Sequence, residues 1–363
     1  MLTNENKDQL TLHGDILNAS VKPNHVYRRI LNIVDFTGLC KPLESCYSKD
    51  SGIAGYPIET ALKSIILQQL EDLSDREMEG FLQENLAAKL FCGFALLEHT
   101  PDHSFFGRVR KRFGTEKIAL VFNNMVTQLH NQNVFSQAFT FIDSTVITAK
   151  LSIWEERDKL LADKTPKILN KLQEKLPSLD LTGNIKESTS SEEIKTTNQN
   201  ISEYAIDKDA KIGRKGKDNF WYGYKTHIAV EGKSGLITAI EVTSANILDH
   251  NVAVLEKLLP EKGMILADRG YDTNAVEDKL KEKGLTSGIR KKKIRKDRNP
   301  DRDRWLGRLR SPFEWVFRYF DKVAPYRGLQ KVKLHQVLGC IALNLKRLTK
   351  ISETPLFPAI KIA

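Results

Sequence analysis

Phe139-Thr-Phe-Ile-Asp143-Ser-Thr-Val146 decides how the chain is read. Aromatic and β-branched residues crowd this stretch, as in a strand that packs on a pleated surface, and an aspartate ends its apolar run. A second run, Met264-Ile-Leu-Ala-Asp268-Arg-Gly-Tyr271, also closes on an aspartate. A third carboxylate, Glu314, stands in Arg310-Ser-Pro-Phe-Glu314-Trp-Val-Phe317, a segment read as helical and either starting after Pro312 or kinked there. Two carboxylates at the ends of buried strands and one on a helix are what a pair of hard divalent cations needs. Such ions take oxygen ligands, keep positions open for water and phosphate, and at about 3.5–4 Å apart stabilise the attacking and leaving oxygens of a phosphodiester together. The residues therefore point to nuclease or strand-transfer chemistry.

Each acid also has a plainer reading. Asp143 could be a turn residue before Ser144, Asp268 a cap on the Arg269-Gly270 turn, and Glu314 an exposed partner of Arg310 or Arg318 at i±4. Asp272 is read as the N-cap of the helix that follows it, outside the ligand set.

Working outward, residues 221–230 and 236–243 are two further strand-like runs separated by Gly232-Lys-Ser-Gly235, the pattern of a hairpin. Lys225 and His227 alternate on the first of these, so they share a face of the sheet and are candidates to touch DNA phosphate near the metals, with ordinary sheet-surface charge as the alternative. A helix over about 250–259, capped by Asp249, leads to the 264–267 strand. A polar helix near 274–283 and a short strand near 287–289 follow. The order β-β-β-α-β-α-β-α implies an α/β fold, with the mixed sheet flanked by helices found in ribonuclease H. Between the first and second of these strands lies an insertion at about 151–219. Its first part is Lys-rich and helix-like, and residues 184–200 read as a mobile surface loop of Ser, Thr, Asn and Lys.

The front of the chain reads as all-α. Residues 1–56 are a loosely structured lead-in, and residues 57–130 form a helical domain of helix-turn-helix type. Its first helix follows Pro57, with Ile58, Leu62, Ile65, Ile66 and Leu70 on one face, and Ser74-Asp-Arg-Glu77 is a capping box for the second. A short basic helix then runs from a cap at Asp102 to Gly114 and carries Arg108, Arg110, Lys111 and Arg112. These four are candidate DNA contacts; the alternative is that cations near a helix C-terminus complement its dipole. The last amphipathic segment, with Leu334, Val337, Leu338, Ile341 and Leu345 on one stripe, is core, and residues 351–363 are a tail.

Composition agrees. The 363 residues are 40% hydrophobic and 28% charged, room for two or three ordinary globular domains, with a net charge of +10. Residues 288–310 hold eleven Lys or Arg against three Asp just upstream of Glu314, which suits a polyanion whose counterions are released on binding. The four cysteines lack any C-x-x-C pairing or zinc-ligand spacing. No run reaches the roughly 18 apolar residues of a membrane span, and the polar N-terminus is unlike a signal peptide, so the expected setting is the cytoplasm, where DNA is.

Taken together, Leu73-Ser-Asp-Arg-Glu-Met-Glu79, Pro101-Asp-His-Ser-Phe-Phe106, Ile142-Asp143-Ser-Thr-Val146, Tyr222-Gly-Tyr-Lys225-Thr-His227, Ala267-Asp268-Arg-Gly-Tyr271-Asp272, Arg310-Ser-Pro-Phe-Glu314 and Tyr326-Arg-Gly328 resemble bacterial insertion-sequence transposases with an Asp-Asp-Glu core, in the group containing the fourth and fifth numbered insertion sequences. The resemblance implies a ribonuclease H-like catalytic domain over about 135–350 in which Asp143, Asp268 and Glu314 bind two Mg²⁺ ions, with Mn²⁺ as a substitute. It further implies cleavage at transposon ends, strand transfer into target DNA, double-stranded DNA partners (terminal inverted repeats and target), and a homodimer on DNA. The family signature around the glutamate is Tyr-x₂-Arg-x₃-Glu-x₆-Lys. Arg310 and Glu314 fit it, whereas Gly307 replaces the tyrosine and Asp321 the lysine, with Lys322 one place later. Arg310 and Lys322 join the candidate DNA contacts on this basis. Two alternatives stay open: an inactive, transposase-derived DNA-binding protein, and a metal-dependent nuclease without strand transfer.

Overall fold

A computed structural model of the chain describes residues 12–48, 55–149, 174–178, 185–186, 189–205, 207–216 and 219–353. It divides into two compact units. The first draws its described residues from Met1–Ser136, Lys233–Ile237 and Val337–Ala363, the second from Gln137–Gly232 and Thr238–Gln336.

The first unit is helical. Helices α1 (Leu12–Ser20), α2 (Val26–Ile33) and α3 (Phe36–Cys40) and a 3₁₀ turn (Lys41–Cys46) precede α4 (Ile58–Leu70). The expected loose lead-in is thus largely helical and contributes core residues, with Ile30, Leu39 and Leu43 all buried. Helices of five to nine residues show too few turns for periodicity to reveal them. The capping box opens α5 (Asp75–Glu84) as read: Ser74 Oγ accepts from Glu77 N–H, and the Glu77 carboxylate accepts from Ser74 N–H. Asn85 then caps a further helix, α6 (Leu86–Cys92), which ends on Gly93 in the left-handed region. The next helix, α7 (His103–Asn131), starts on the Asp102 cap and continues past Gly114, where a φ of 67° breaks it into two. The basic helix and the one expected after it are therefore one kinked element.

The second unit holds a six-stranded mixed sheet: β1 (Phe139–Thr148), β2 (Lys211–Lys215), β3 (Asn219–Glu231), β4 (Ile237–Ser244), β5 (Met264–Ala267) and β6 (Thr286–Ile289). The order is β2-β3-β1-β5-β6, with β4 also on β3. Strand β1 runs antiparallel to β3, Asp143 opposite Ile228, and parallel to β5, Phe141 opposite Leu266. Strands β5 and β6 are parallel as well.

Between β1 and β2 lies α8 (Ser191–Tyr204). The stretch read as a mobile loop thus ends in a helix, opened by a second capping box at Ser190 and Glu193 and anchored by fully buried Ile201. The insertion also supplies β2, which pairs with the start of β3. The helix-like reading of 154–176 falls almost wholly outside the described residues.

After β4 comes α9 (Val252–Glu256), capped by Asn251 and not by Asp249, and after β5 a 3₁₀ turn (Arg269–Tyr271) and α10 (Asn274–Glu282). Helix α11 (Pro300–Arg310) passes into a 3₁₀ run (Ser311–Tyr319) at Pro312, and α12 (Leu329–Ile351) closes the described chain. Its second half, from Val337, clusters with the first unit.

One apolar cluster brings Ile142, Ala229, Leu255, Ile265, Tyr271, Val276, Leu280 and Ile289 together, packing α9 and α10 on the sheet. The β1 residues of opposite parity serve a different layer. Phe141 stacks on Phe313 at 6.1 Å and meets Phe317 edge-on at 6.1 Å, which lays the 3₁₀ run along the strand next to Asp143.

Candidate active site

Asp143 lies in the middle of β1, not at its end, because Ser144–Thr148 keep pairing with β3 beyond the apolar run. Its Oδ1 accepts the Ser144 N–H at 2.8 Å and its Oδ2 accepts from Arg310 Nη2, the last residue of α11. The guanidinium also sits 5.2 Å from the Phe141 ring centre. Burial pushes the Asp143 carboxyl up to about 6, against the pull of Arg310 and the Ser144 N–H, and the charge of Asp268 adds to the rise. Asp143 and Asp268 therefore lie within electrostatic reach of each other.

Asp268 follows β5 directly and caps the 3₁₀ turn, its Oδ1 accepting Gly270 N–H at 2.7 Å. A Cβ at position 270 would stand 2.8 Å from that oxygen, so glycine lets the carboxylate hold this position. The strand-end expectation holds for Asp268, since neighbouring parallel strands bring two carboxylates to one region of the sheet.

Glu314 is the outlier. It is exposed on the 3₁₀ run, and among the described residues no three His, Cys, Asp or Glu side chains are gathered closely enough to hold a metal ion. Its reading as a partner of Arg310 gives way as well, because Arg310 binds Asp143. The donor set suits a divalent cation as far as it goes: two hard carboxylates of like charge, with the chain's own cation on Asp143 Oδ2.

Tyr271 and Asp249 escaped the sequence reading. Tyr271 is 1% exposed, and its hydroxyl has no partner among the described residues. Its phenol is raised well above its ordinary value by burial and then by Asp143, Asp249 and Asp268. Asp249 is an ion-pair partner and not a helix cap: Lys225 Nζ donates to its Oδ1 at 2.9 Å and to the Ile247 carbonyl at 2.8 Å. Burial raises the Asp249 carboxyl, but Lys225 outweighs it and the net direction is down. The signal for Tyr271 was present in Asp268-Arg-Gly-Tyr271; Asp249 gave none, since only the fold brings Lys225 to it.

Burial removes Lys225 and His227 from the expected phosphate contacts. Lys225 is 6% exposed and His227 is fully buried, its Nε2 at 3.0 Å from Thr243 Oγ1. Burial holds the imidazole down at about 4 despite Asp249, helped by Lys225. Strand β3 has partners along both edges and helices over its face, which the alternation of Lys225 and His227 could not disclose.

The basic stretches divide in the same way. Arg110 turns inward to a two-pronged pair with Asp75, at 2.9 and 2.6 Å, and also bonds Gln68, so its role is structural. Arg108, Lys111 and Arg112, at i, i+3 and i+4, share the exposed face of α7. In the run before Glu314, buried Asp272 binds Lys292 N–H and Arg295, and buried Asp303 binds Lys291 N–H and Arg298. Asp272 is thus an anchor for the basic segment and not a helix cap, which is Thr273. Lys293, Lys296, Arg304 and Arg308 remain exposed. Lys322 is exposed too, and its carbonyl accepts Thr148 N–H at the end of β1.

Among the described residues no helix is long and apolar enough to cross a membrane. No solved structure matches the chain. Residues 15–112 match the family described as Transposase domain (DUF772), and residues 135–345 match the Transposase DDE domain, which takes in the whole sheet and all three carboxylates. That second match covers more than half of the chain: the protein belongs to the DDE transposase family, whose members generally use divalent metal ions and act on DNA, and it is a transposase.

Proposed function

We propose that the chain cuts DNA at the ends of an insertion sequence and joins the freed 3′ ends to target DNA, using Asp143, Asp268 and Glu314 in a ribonuclease H-like core. The observation that carries this is the approach of Asp143 and Asp268 from adjacent parallel strands, with the charge of one raising the proton affinity of the other. Two half-buried like charges attract a cation. Here Arg310 supplies one positive charge where a divalent ion would supply two.

Asp143 and Asp268 would hold the ion through their carboxylate oxygens, and Glu314, on the run that follows Arg310, would complete the set. A pair of Mg²⁺ ions, or Mn²⁺ in their place, would acidify a water and stabilise the leaving 3′ oxygen. The chain's own residues do the positioning. Gly270 N–H fixes Asp268, Ser144 N–H fixes Asp143, and Phe141 with Phe313 and Phe317 keeps water from the strand behind them. Arg310 and Lys322 lie on the segments beside Asp143 and suit phosphate oxygens, and Arg108, Lys111 and Arg112 suit the duplex of the terminal repeat. Pairing two ends calls for two active sites, hence a homodimer on DNA.

The test is Mg²⁺-dependent cleavage and joining of end-bearing DNA by the wild type and by D143N, D268N and E314Q. Each substitution abolishes cutting and leaves DNA binding within a few-fold; a variant that still cuts removes its residue from the site. Cleavage without joined product identifies a nuclease. The exposed position of Glu314, with Gly307 and Asp321 at signature positions, favours one rival, a DNA-binding protein without catalysis. A wild type that binds ends and never cuts them establishes it.

A further inference from the structure

Strand register sets three charged residues in one row. Phe141 of β1 lies opposite Leu266 of β5, and Ala267 of β5 lies opposite Ile289 of β6, all three strands being parallel. Counting on from these pairs, Asp143, Asp268 and Arg290 stand at the same level of the three strands. The row before them, Ile142, Ala267 and Ile289, packs into the apolar cluster with α9 and α10. Successive side chains alternate, so the charged row belongs to the opposite face. Helix α11 meets that face. Its Arg310 binds Asp143, and about one turn earlier the space over Gly307 is taken by Arg290, whose guanidinium carbon would stand 3.8 Å from a Cβ at 307. The backbone ties Arg290 to the row, its N–H donating to the Ala267 carbonyl at 3.4 Å.

Arg290 differs from the cations that follow it. Lys291, Arg295 and Arg298 are each matched to an acid, Glu277, Asp272 and Asp303 respectively. Arg290 has no carboxylate within ion-pair reach among the described residues, and its Nε is buried without a hydrogen-bond partner there. A half-buried guanidinium left unmatched is costly, whereas its planar fork of donors fits two oxygens of a phosphate. We propose that Arg290 binds the phosphodiester being cut, on the Asp268 side of the carboxylates, and that Gly307 is the space this side chain needs. The inference rests on the reading of Asp143 and Asp268 as the place of cleavage. A tyrosine at 307, as in the family signature, would fall on the guanidinium.

The experiment compares two end-bearing duplexes, one natural and one with a neutral methylphosphonate at the linkage that the wild type cuts. The full chain binds each in Ca²⁺, with the absence of cutting checked on a gel, and kcat and KM for the natural duplex are measured in Mg²⁺. Variants are R290A, R290K, G307A and G307L. The expected result is that R290A binds the natural duplex about 10-fold more weakly than the wild type, binds the methylphosphonate duplex equally well, and loses about 10-fold or more in kcat. R290K, which keeps the charge without the fork, falls between the two. G307L displaces the guanidinium and behaves as R290A, while G307A, whose Cβ makes only ordinary contacts, behaves as the wild type. Losses of equal size on the two duplexes overturn the proposal, and so does wild-type binding and cleavage by R290A. The carboxylate reading is judged apart from this: a D143N variant that still cuts refutes it, and the duplex comparison then stands on its own. A wild type that cuts nothing removes both.

Discussion

Asp143→Asn removes the charge that the fold finds hardest to accommodate, so in the absence of metal it makes the catalytic unit more stable at neutral pH. The Asp143 carboxyl is raised from 3.8 to about 6 by burial, with Arg310 and the Ser144 N–H opposing and Asp268 adding to the rise. A folded-state value above the unfolded one means that the folded protein binds the proton more tightly. The stability this gives is fully present below about pH 4 and is lost as pH rises through about 6. The gap of about 2 units, at 1.36 kcal/mol each, comes to roughly 3 kcal/mol at pH 7.5. Asparagine is neutral throughout and nearly matches the protonated acid in shape. The advantage of D143N over the wild type therefore grows from near zero at pH 4 to roughly 3 kcal/mol at pH 7.5, or a melting-temperature difference of roughly 6–12 °C for a domain of 150–250 residues. All four tryptophans, at 154, 221, 305 and 315, lie in the span of the second unit, so tryptophan fluorescence in EDTA reports on that unit. Adding Mn²⁺ narrows the difference, because only the wild type gains a ligand. A difference that is flat with pH, or a D143N variant less stable than wild type at pH 7.5, refutes the reasoning.

Four further outcomes follow from the same structure. Substituting Arg108, Lys111 and Arg112 together by Ala weakens DNA binding and flattens its salt dependence by about one unit of slope for each phosphate that is no longer neutralised. Arg110→Ala instead lowers the melting temperature and leaves the slope unchanged; a slope flattened by about one unit in this variant would return Arg110 to the DNA surface. Lys225→Met leaves Asp249 without its cation, and since Asp249 is about one-third exposed the cost is roughly 2–3 kcal/mol in urea denaturation, below the full penalty of a buried pair. His227, held at about 4 by burial, shows no imidazole titration by NMR between pH 5 and 8. Its contribution to stability is present above the ordinary 6.5 and lost as pH falls toward 4, and a midpoint near 6.5 would show that the ring is solvated.

Local chemistry made much of this fold legible and long-range pairing hid the rest. Met264–Ala267 and the β3–β4 hairpin stand out because apolar and β-branched runs bounded by glycines carry their own signal, and Ser74 announces α5 through a capping box. The capping box at Ser190 has the same form but sits in a polar stretch whose composition reads as loop, so α8 does not stand out in the sequence. Strand β2, Lys-Ile-Gly-Arg-Lys, has almost no apolar content and exists because β3 offers it an edge. At the site, Asp143 and Asp268 were visible as charges that interrupt apolar runs. The burial of Lys225 and the inward turn of Arg110 were not, since each depends on an acid distant in sequence, Asp249 or Asp75. A cation read alone looks like a phosphate contact until its carboxylate is found.

The charge balance around Asp143 explains why Arg310 and Glu314 belong to one argument. Asp143 and Asp268 repel each other in a half-buried setting, which is costly unless a cation lies close. Arg310 meets that need from the last residue of α11, with Phe141 supporting its guanidinium and its Nε left buried without a partner among the described residues. A side chain held by one oxygen and the face of one ring is well placed to exchange that oxygen for a phosphate. Glu314 lies on the 3₁₀ run that begins at the very next residue, tied to β1 through Phe313 and Phe317. Whatever draws Arg310 away from Asp143 therefore acts on the segment that carries Glu314. A DNA backbone brings the negative charge to attract Arg310 and, with it, the need for a divalent cation between the carboxylates. On the proposed reading of Glu314 as a ligand, the same electrostatics that raise the Asp143 carboxyl would link binding of the substrate to assembly of the carboxylate set.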